Sequence, residues 1–471
     1  MRGVLMKALL LPILVHGRDT ANCTQRTQMC NGVMCDDLCN IGTVPTDPWV
    51  DGGMAFIREL QRHEPLVRTT MIGTHNSAIT QAYGFGIEQD YISTLLPHYP
   101  VYTSDNLGEG VCNTFSVLDQ LRMGLRHVEI DINSGYFNVP FKGPAELDKI
   151  YVCHSPIPLD PVLIVQADSA AKEKGIDLGW NASKLSCIGT NVPYKSMLLE
   201  IKGWMDANPE EIVILYLDAK PESVSLKSQC KSAYDDMEAV FGNMIWAVEE
   251  GDPRGYSREQ MLRMGKRVIF EDHDNGFKAD SRDLVFVPAL WNHQMGSVAQ
   301  FPDCTIEGEA FDSWYAPVTY NASSKIKKNL VRGLGWGRKG DVGTRSIANA
   351  MDCAVNILSP NYVQPEDIEG YVWAVDRAAW RPGLTSGCMG VLPSGKMGIV
   401  DTGPPTSDCT ARTPMACRKV EDDTQWVVEN AKCPAGYVKA VPTTGYALKK
   451  LALAANGQTI YVDVAPDGRL L

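Results

Sequence analysis

Two histidines and four oxygen-bearing side chains follow separate apolar segments of this sequence. They fall in the stretches MIGTHNSAIT, LRHVEIDI, KIYVCHS and EIVILYLDA, and are His75, Asn76, Glu129, Asp131, His154 and Asp218. Imidazoles exchange protons near neutral pH, and carboxylate and amide oxygens are the ligands that Ca2+ and Mg2+ prefer. We therefore predict a site that combines acid–base catalysis with a divalent cation.

The apolar segments that carry these residues alternate with stretches of helical periodicity. Between them lie VLDQLRMG, YKSMLLEIKGWMDANP and AYDDMEAVFGNM, and the alternation continues to about residue 383. Roughly eight strand–helix pairs predict a parallel sheet closed into a (β/α)8 TIM-type barrel, which need not be regular. After Gly383 many glycines, prolines and cysteines precede short β-like runs, and these predict a small disulfide-rich C-terminal β module.

A parallel barrel gathers functional groups at the C-terminal ends of its strands. Glu129 and Asp131 are two residues apart, as are Asp218 and Lys220, so each pair projects from one side of its strand. Three carboxylates at one barrel mouth would raise one another's pKa unless a cation lay among them. The sequence therefore predicts a Ca2+ or Mg2+ site there.

Two imidazoles beside a divalent cation suit the displacement of a phosphodiester. One histidine would handle a proton on the attacking side, and the other would protonate the leaving oxygen. The cation would neutralise charge that develops on the phosphoryl oxygens, and Lys220 would add a point charge for the phosphate.

The stretches GTHNS, GLRHVEIDI, VCHS and VILYLDA resemble the successive catalytic motifs of phosphatidylinositol-specific phospholipases C, over about residues 65–220. The resemblance implies a barrel fold and a phospholipid substrate. It implies that His75 is the first catalytic histidine and His154 the acid. The metal-independent bacterial members are expected to use arginine instead of the cation, whereas this chain has acids there. The resemblance therefore also implies that Ca2+ is bound by Asn76, Glu129, Asp131 and Asp218.

One ligand position departs from that family pattern. The last ligand is usually glutamate, whereas Asp218 is one methylene shorter, which favours a water-bridged contact or a smaller ion. The D-A-K stretch at 218–220, with the E-x-D pair and two histidines, is also similar to sphingomyelinase D and the glycerophosphodiester phosphodiesterases, which use Mg2+. The bond broken is therefore better defined than the headgroup.

Composition limits the partners and the compartment. The 471 residues carry 44 basic against 56 acidic side chains, a formal charge of −12, which argues against a nucleic-acid partner. MRGVLMK, then ALLLPILV and HGRDTA, has the pattern of a secretory signal peptide. All fourteen cysteines follow it, so we expect a secreted, disulfide-bonded protein, although a zinc site is the alternative for the first four.

The expected organisation has four parts. They are a signal peptide at 1–20, a cysteine-rich segment at 21–55 with a bridged cap and a loop, the barrel at 56–383, and the C-terminal module at 384–471. N-glycosylation sequons at Asn22, Asn181 and Asn321 agree with secretion.

Each candidate residue has a structural alternative. Glu129 and Asp131 could pair with Arg122 or Arg126, Asp218 could cap a helix, and Lys220 could be a solvated loop lysine. His127 is predicted to be a core residue below Glu129. No motif assigns a role to Glu271, His273 or His293, which also fall at predicted strand ends.

A basic run, KIKKNLVRGLGWGRKG at 325–340, offers Leu330, Leu334 and Trp336 among its cations. On the catalytic face it would touch an anionic membrane surface, and an ordinary solvated loop is the alternative.

These patterns together predict a secreted phospholipid phosphodiesterase of the phospholipase C type. A neighbouring inositol hydroxyl would attack phosphorus, with Glu129 or His75 as the base, and leave a cyclic inositol phosphate. The alternatives are the sphingomyelinase D or glycerophosphodiesterase activity, and a secreted binding protein without catalysis.

Overall fold

The computed structural model of the chain describes most of the predicted barrel and nearly all of the C-terminal module. The described residues are 23–30, 35–84, 113–134, 136–137, 150–152, 187–188, 192–219, 227–272, 277, 283–291, 305–306, 309–310, 315–316, 344–353, 355–360, 363–402, 406–420 and 422–471.

In the described part of the chain, the main sheet has eight strands, of which seven are parallel. In spatial order the parallel strands are Val285–Phe286, Val268–Asp272, Val213–Ala219, Leu125–Ser134, Met71–Thr74, Ile357–Leu358 and Tyr315–Ala316, and every neighbouring pair is parallel. Of these seven strands, Ile357–Leu358 comes last in the chain, and it pairs with the one that comes first, Met71–Thr74. The chain is a mixed α/β protein built on a parallel sheet, as predicted.

The two ends of this strand path, 285–286 and 315–316, are not paired with each other in the described part of the chain. The described strands therefore form an open path, and the predicted closed ring is not seen in them.

One predicted parallel strand has the opposite direction. Ile150–Val152 pairs antiparallel with residues 132–134 at the end of the strand Leu125–Ser134. The parallel neighbour of Leu125–Ser134 is instead Val213–Ala219, in the position that the sequence predicts for residues 149–155. The prediction of a third parallel barrel strand at 149–155 was wrong, because an alternation of apolar residues does not encode strand direction.

Alternate side chains of the strand Leu125–Ser134 have different surroundings. Val128, Ile130 and Ile132 pack in one cluster with the helices Tyr194–Ala207 and Lys227–Phe241. Successive side chains of a strand point to opposite faces, so residues 127, 129 and 131 project from the face without those helices. A second apolar cluster on that inner face includes Ile214, Tyr216, Ile269 and Ile357.

The first helix begins inside a stretch that the sequence assigned to a loop. Asp47 accepts a hydrogen bond from the Trp49 N–H (2.8 Å), and Pro48 occupies the first turn of the helix Pro48–Leu60. A capping aspartate followed by proline is a helix start, and the two glycines at 52–53 did not prevent it. The other described α-helices are Val117–Arg122, Arg258–Arg263, Thr344–Met351 and Gly445–Ala455.

Disulfides stabilise both ends of the described chain. Cys23–Cys39 joins a hairpin of strands Arg26–Cys30 and Cys35–Cys39, which confirms a bridged N-terminal cap. In the C-terminal module, Cys388–Cys409 and Cys417–Cys433 stabilise a six-stranded sheet. Its strands are Cys388–Val391, Met397–Asp401, Met415–Lys419, Asp422–Glu429, Tyr437–Lys439 and Ile460–Tyr461.

The C-terminal module packs at the N-terminal end of the parallel strands. The Gln61 amide donates to the Thr443 carbonyl (2.7 Å) and accepts from the Thr70 N–H (2.9 Å), one residue before the first parallel strand. The Trp380 indole donates to the Pro466 carbonyl (2.9 Å), and both segments share one apolar core with the helix Pro48–Leu60. The module is therefore remote from the C-terminal strand ends.

Several predicted features lie outside the described residues. They are the signal peptide at 1–20, the three sequons and the basic run at 325–340. None of the described helices has the length and hydropathy needed to cross a membrane.

Candidate active site

A tight turn follows the first parallel strand and carries His75 and Asn76. Asn76 has a φ of 47°, in the left-handed region that asparagine tolerates better than most residues. The Asn113 amide holds the turn by donating to the carbonyls of His75 (3.0 Å) and Asn76 (2.9 Å). His75 is 9% exposed and Asn76 1%, so the turn is buried at the strand end.

Hydrogen bonds connect this turn to the neighbouring strand. The Ser77 hydroxyl accepts from the Glu129 N–H (2.8 Å) and donates to the Thr74 carbonyl (2.7 Å). The Gln120 amide donates to the Ser77 carbonyl (2.8 Å). Ser77 and Gln120 were not predicted as positioning residues, since neither side chain carries unusual chemistry.

The predicted pair Asn76 and Glu129 is brought together directly. The Asn76 N–H donates to the Glu129 Oε2 at 3.1 Å, and Glu129 is 3% exposed. The left-handed turn directs this N–H at the carboxylate, so the strained residue and the acidic residue belong to one arrangement.

Asp131 and Asp218 lie opposite each other on adjacent parallel strands. They are register partners, and neighbouring strands are about 4.8 Å apart. Register partners project from the same face of a sheet, so Asp131, Glu129 and Asp218 share the inner face. Asp131 is fully buried and Asp218 is 8% exposed.

Three buried carboxylates at one sheet edge suit a hard cation by their chemistry. Buried carboxylates are seldom left without a compensating positive group, and a divalent cation is one such group. Within the described ranges, however, no three His, Cys, Asp or Glu side chains are arranged to hold a metal ion. The oxygen donors fit Ca2+ or Mg2+, but the described side chains do not form a ready coordination shell.

Among the described residues, the two arginines that were the alternative partners of Glu129 and Asp131 pair with other acids. Arg126 pairs with Glu211 (2.8 Å) and Arg122 with Asp119 (3.1 Å). Asp218 lies within the strand Val213–Ala219 and does not begin a helix.

A second buried pair lies deeper on the inner face. The His127 Nε2 is 3.5 Å from the Glu271 Oε1, both side chains are fully buried, and the His127 ring is 5.5 Å from that of Tyr216. The other Glu271 oxygen accepts from the Leu290 N–H (2.8 Å). His127 is a core residue, as predicted, but its partner was missed. His127 and Glu129 are two residues apart on one strand, and this spacing indicated that both project from the inner face.

Four sequence-predicted residues lie outside the described part of the chain. They are His154, Lys220, His273 and His293. Their positions relative to His75 and the three acids therefore stay predictions.

Comparison with solved structures finds bacterial phosphatidylinositol-specific phospholipases C. The enzyme from Listeria monocytogenes is 13% identical, with a TM-score of 0.40, over 68% of this chain and 97% of that one. A calcium-dependent enzyme from Pseudomonas sp. is 14% identical, with a TM-score of 0.33, over 65% and 93%. A mutant of the Staphylococcus aureus enzyme is 12% identical, with a TM-score of 0.37, over 69% and 97%.

No protein-family model matches the chain, and no curated protein matches it. All three TM-scores are below 0.5, a level at which the likeness says nothing about substrate or metal.

Proposed function

We propose that the protein is a phosphodiester hydrolase of the phospholipase C type, acting on a phospholipid headgroup. The observation that supports it is the group of three buried carboxylates, Glu129, Asp131 and Asp218, at the strand end that also carries His75 and Asn76. A buried acidic group beside a histidine is costly for stability and is typical of a catalytic site.

The proposed roles follow the chemistry of each side chain. His75 or Glu129 takes the proton of the attacking hydroxyl, and His154 protonates the departing oxygen. Lys220 binds the phosphate. Ca2+, or Mg2+ as the alternative, would be held by Asn76, Glu129, Asp131 and Asp218. When bound, the ion would neutralise negative charge that develops on the phosphoryl oxygens.

The wider proposal extends to the fold and compartment. We propose that the sheet closes into a barrel over 56–383. Among its parallel strands, the one that comes last in the chain, Ile357–Leu358, already pairs with the one that comes first, Met71–Thr74. The segments 1–20, 21–55 and 384–471 are proposed as signal peptide, cysteine-rich segment and C-terminal module of a secreted protein. The disulfides between described cysteines, which suit an oxidising compartment, support this. The basic run at 325–340 is proposed to contact the membrane surface.

The test is to incubate purified protein with phosphatidylinositol, sphingomyelin and lysophospholipids, with and without a chelator, and to identify the products. The proposal expects a cyclic inositol phosphate from phosphatidylinositol, lost on chelation and in His75→Ala. His63→Ala, at an exposed histidine, is the matched control. Turnover that survives both chelation and His75→Ala would contradict the mechanism.

A further inference from the structure

A buried polar layer lies on the inner face of the parallel sheet, beneath the candidate active site. Its side chains are His127, Glu271 and Ser359, which come from three separate strands or strand ends and are fully buried. The Ser359 hydroxyl has no hydrogen-bond partner among the described residues. Burial of polar groups costs free energy, so a layer of this kind needs a physical reason.

The layer lies one level below the residues of the site. His127 and Gly73 are register partners on adjacent parallel strands. Glu129 and His75 come two residues further along these two segments, and side chains two residues apart on a strand project from the same face. The strand separation at the lower level therefore helps to set the distance between Glu129 and the turn that carries His75.

Gly73 leaves the space in which side chains from the two neighbouring strands meet. Its φ is outside the left-handed region, so space rather than backbone conformation requires glycine here. A methyl group at this position would overlap the Ser359 Oγ, and it would lie 3.1 Å from the Ser359 Cβ and 3.2 Å from the His127 Nδ1. The hydroxyl can rotate away, but the other two contacts stay tighter than ordinary packing. A methyl group would therefore displace the imidazole or the strand itself.

Glu271 lies on the other side of the His127 ring. One of its oxygens accepts from the N–H groups of Leu290 (2.8 Å) and Trp291 (3.4 Å), so the backbone fixes the orientation of the carboxylate. The other oxygen faces the His127 Nε2 at 3.5 Å and has no hydrogen-bond partner among the described residues. A carboxylate that faces one imidazole nitrogen favours a single orientation of the ring. The ring is thus held between Glu271 and Gly73.

Glu271 itself is not beside the acids of the candidate site. Tyr216 is the register partner of both Glu129 and Glu271, so two strand spacings, about 10 Å, separate these two acids. The Tyr216 ring fills the space between them and lies 5.5 Å from the ring of His127. Any effect of Glu271 on the site is therefore transmitted through the buried rings.

We propose that the His127 ring positions the active site by fixing the separation of the two segments that carry His75 and Glu129. Glu271 holds the ring on one side, and Gly73 admits it on the other. His127 touches no substrate in this proposal, because its side chain is fully buried. The inference rests on the proposed function, which gives His75 and Glu129 their catalytic roles.

The substitution Gly73→Ala tests the strand separation. It should lower kcat on phosphatidylinositol about tenfold and change KM less than about twofold, because a shift of a fraction of an ångström misplaces the reacting groups without removing a substrate contact. The double variant Gly73→Ala/Ser359→Gly removes the overlapping side chain and should recover most of the lost kcat. Gly203→Ala is the matched control, because its added methyl group meets nothing within 4 Å.

A second measurement is independent of turnover. In protein with isotopically labelled histidine, the imidazole NMR signals of His75 should shift in Gly73→Ala and return towards wild type in the double variant. Glu271→Gln keeps the shape of the side chain but removes its charge, so it should shift these signals as well. It also keeps the test available if Gly73→Ala folds poorly. The signals of the exposed His63 should stay unchanged in every variant.

Unchanged His75 signals in both Gly73→Ala and Glu271→Gln would overturn the proposal. A loss of kcat in Gly73→Ala that the double variant fails to recover would overturn it too, since the contact with Ser359 would not be the cause. A wild-type protein that turns over no phosphodiester would contradict the proposed function instead, and the His75 signals would still decide whether the buried layer positions that residue.

Discussion

The buried acids at the two ends of the parallel sheet have opposite surroundings. At the N-terminal end, Glu211 lies 3.1 Å from Arg58 and 2.8 Å from Arg126, so side chains of the protein itself compensate its charge. At the C-terminal end, Glu129, Asp131 and Asp218 are buried together, and Glu129 receives a backbone N–H from Asn76. The difference is that the acid at the first end is paired with arginines, whereas the second end gathers the three acids to which the proposed function assigns a cation.

The largest effect is expected at the C-terminal end. Asp131→Asn should lower kcat on phosphatidylinositol about 1,000-fold, because it removes a ligand and a charge from the site. In chelator the same variant should keep a free energy of unfolding close to that of wild type, because asparagine has nearly the same shape as aspartate. Rate assays and urea unfolding check this. Asp206→Asn, on an exposed helix position, is the control.

A substitution at the N-terminal end should have the reverse effect. Arg126→Met leaves Glu211 with weaker compensation and should lower the free energy of unfolding by about 3 kcal/mol. It should leave kcat unchanged, because the strand starts are remote from His75. Equal losses of kcat in Arg126→Met and Asp131→Asn, measured on folded protein, would remove the distinction between the two ends.

The pH dependence of stability sharpens the same distinction. The pKa of Glu211 falls from the usual 4.5 to about 2 in the folded protein. Its stabilising contribution, about 3 kcal/mol, is therefore complete above about pH 4.5 and is lost as the pH falls towards 2. Urea unfolding at pH 7, 4.5 and 3 should show a smaller loss of the free energy of unfolding in Glu211→Gln than in wild type. An equal loss in both proteins would count against the pairing.

The smallest effect is expected at the cap of the helix that carries Arg58. Asp47→Ala removes the acceptor for the Trp49 N–H and should lower the free energy of unfolding by about 1 kcal/mol. Activity should not change. Thermal unfolding measures this, and a loss as large as that of Arg126→Met would mean that the helix end, rather than the ion pair, stabilises this region.

A spacing of two residues predicted that Glu129 and Asp131 project from the same side of their strand, whereas the roles of these acids in a site stay predictions. The sequence also predicted the strands that contain them and the helices Tyr194–Ala207 and Val117–Arg122. It did not predict the antiparallel direction of Ile150–Val152, since apolar alternation is the same in both directions. The contact between His127 and Glu271 was missed because it depends on the register of distant strands, which composition does not carry.

The helix Pro48–Leu60 was missed for a different reason. Its glycines and proline resemble a loop, and burial of Phe56, Ile57 and Leu60 against the C-terminal module outweighs that local preference. Tertiary packing, rather than propensity, decides the structure there.

Calcium binding measured by isothermal titration tests the central claim most directly. The account predicts one Ca2+ per chain in the wild-type protein, with Mg2+ competing for it, and strongly weakened binding in Asp131→Asn but not in Asp206→Asn. A wild-type protein that binds neither ion, or an Asp131→Asn variant that binds as tightly as wild type, would contradict it.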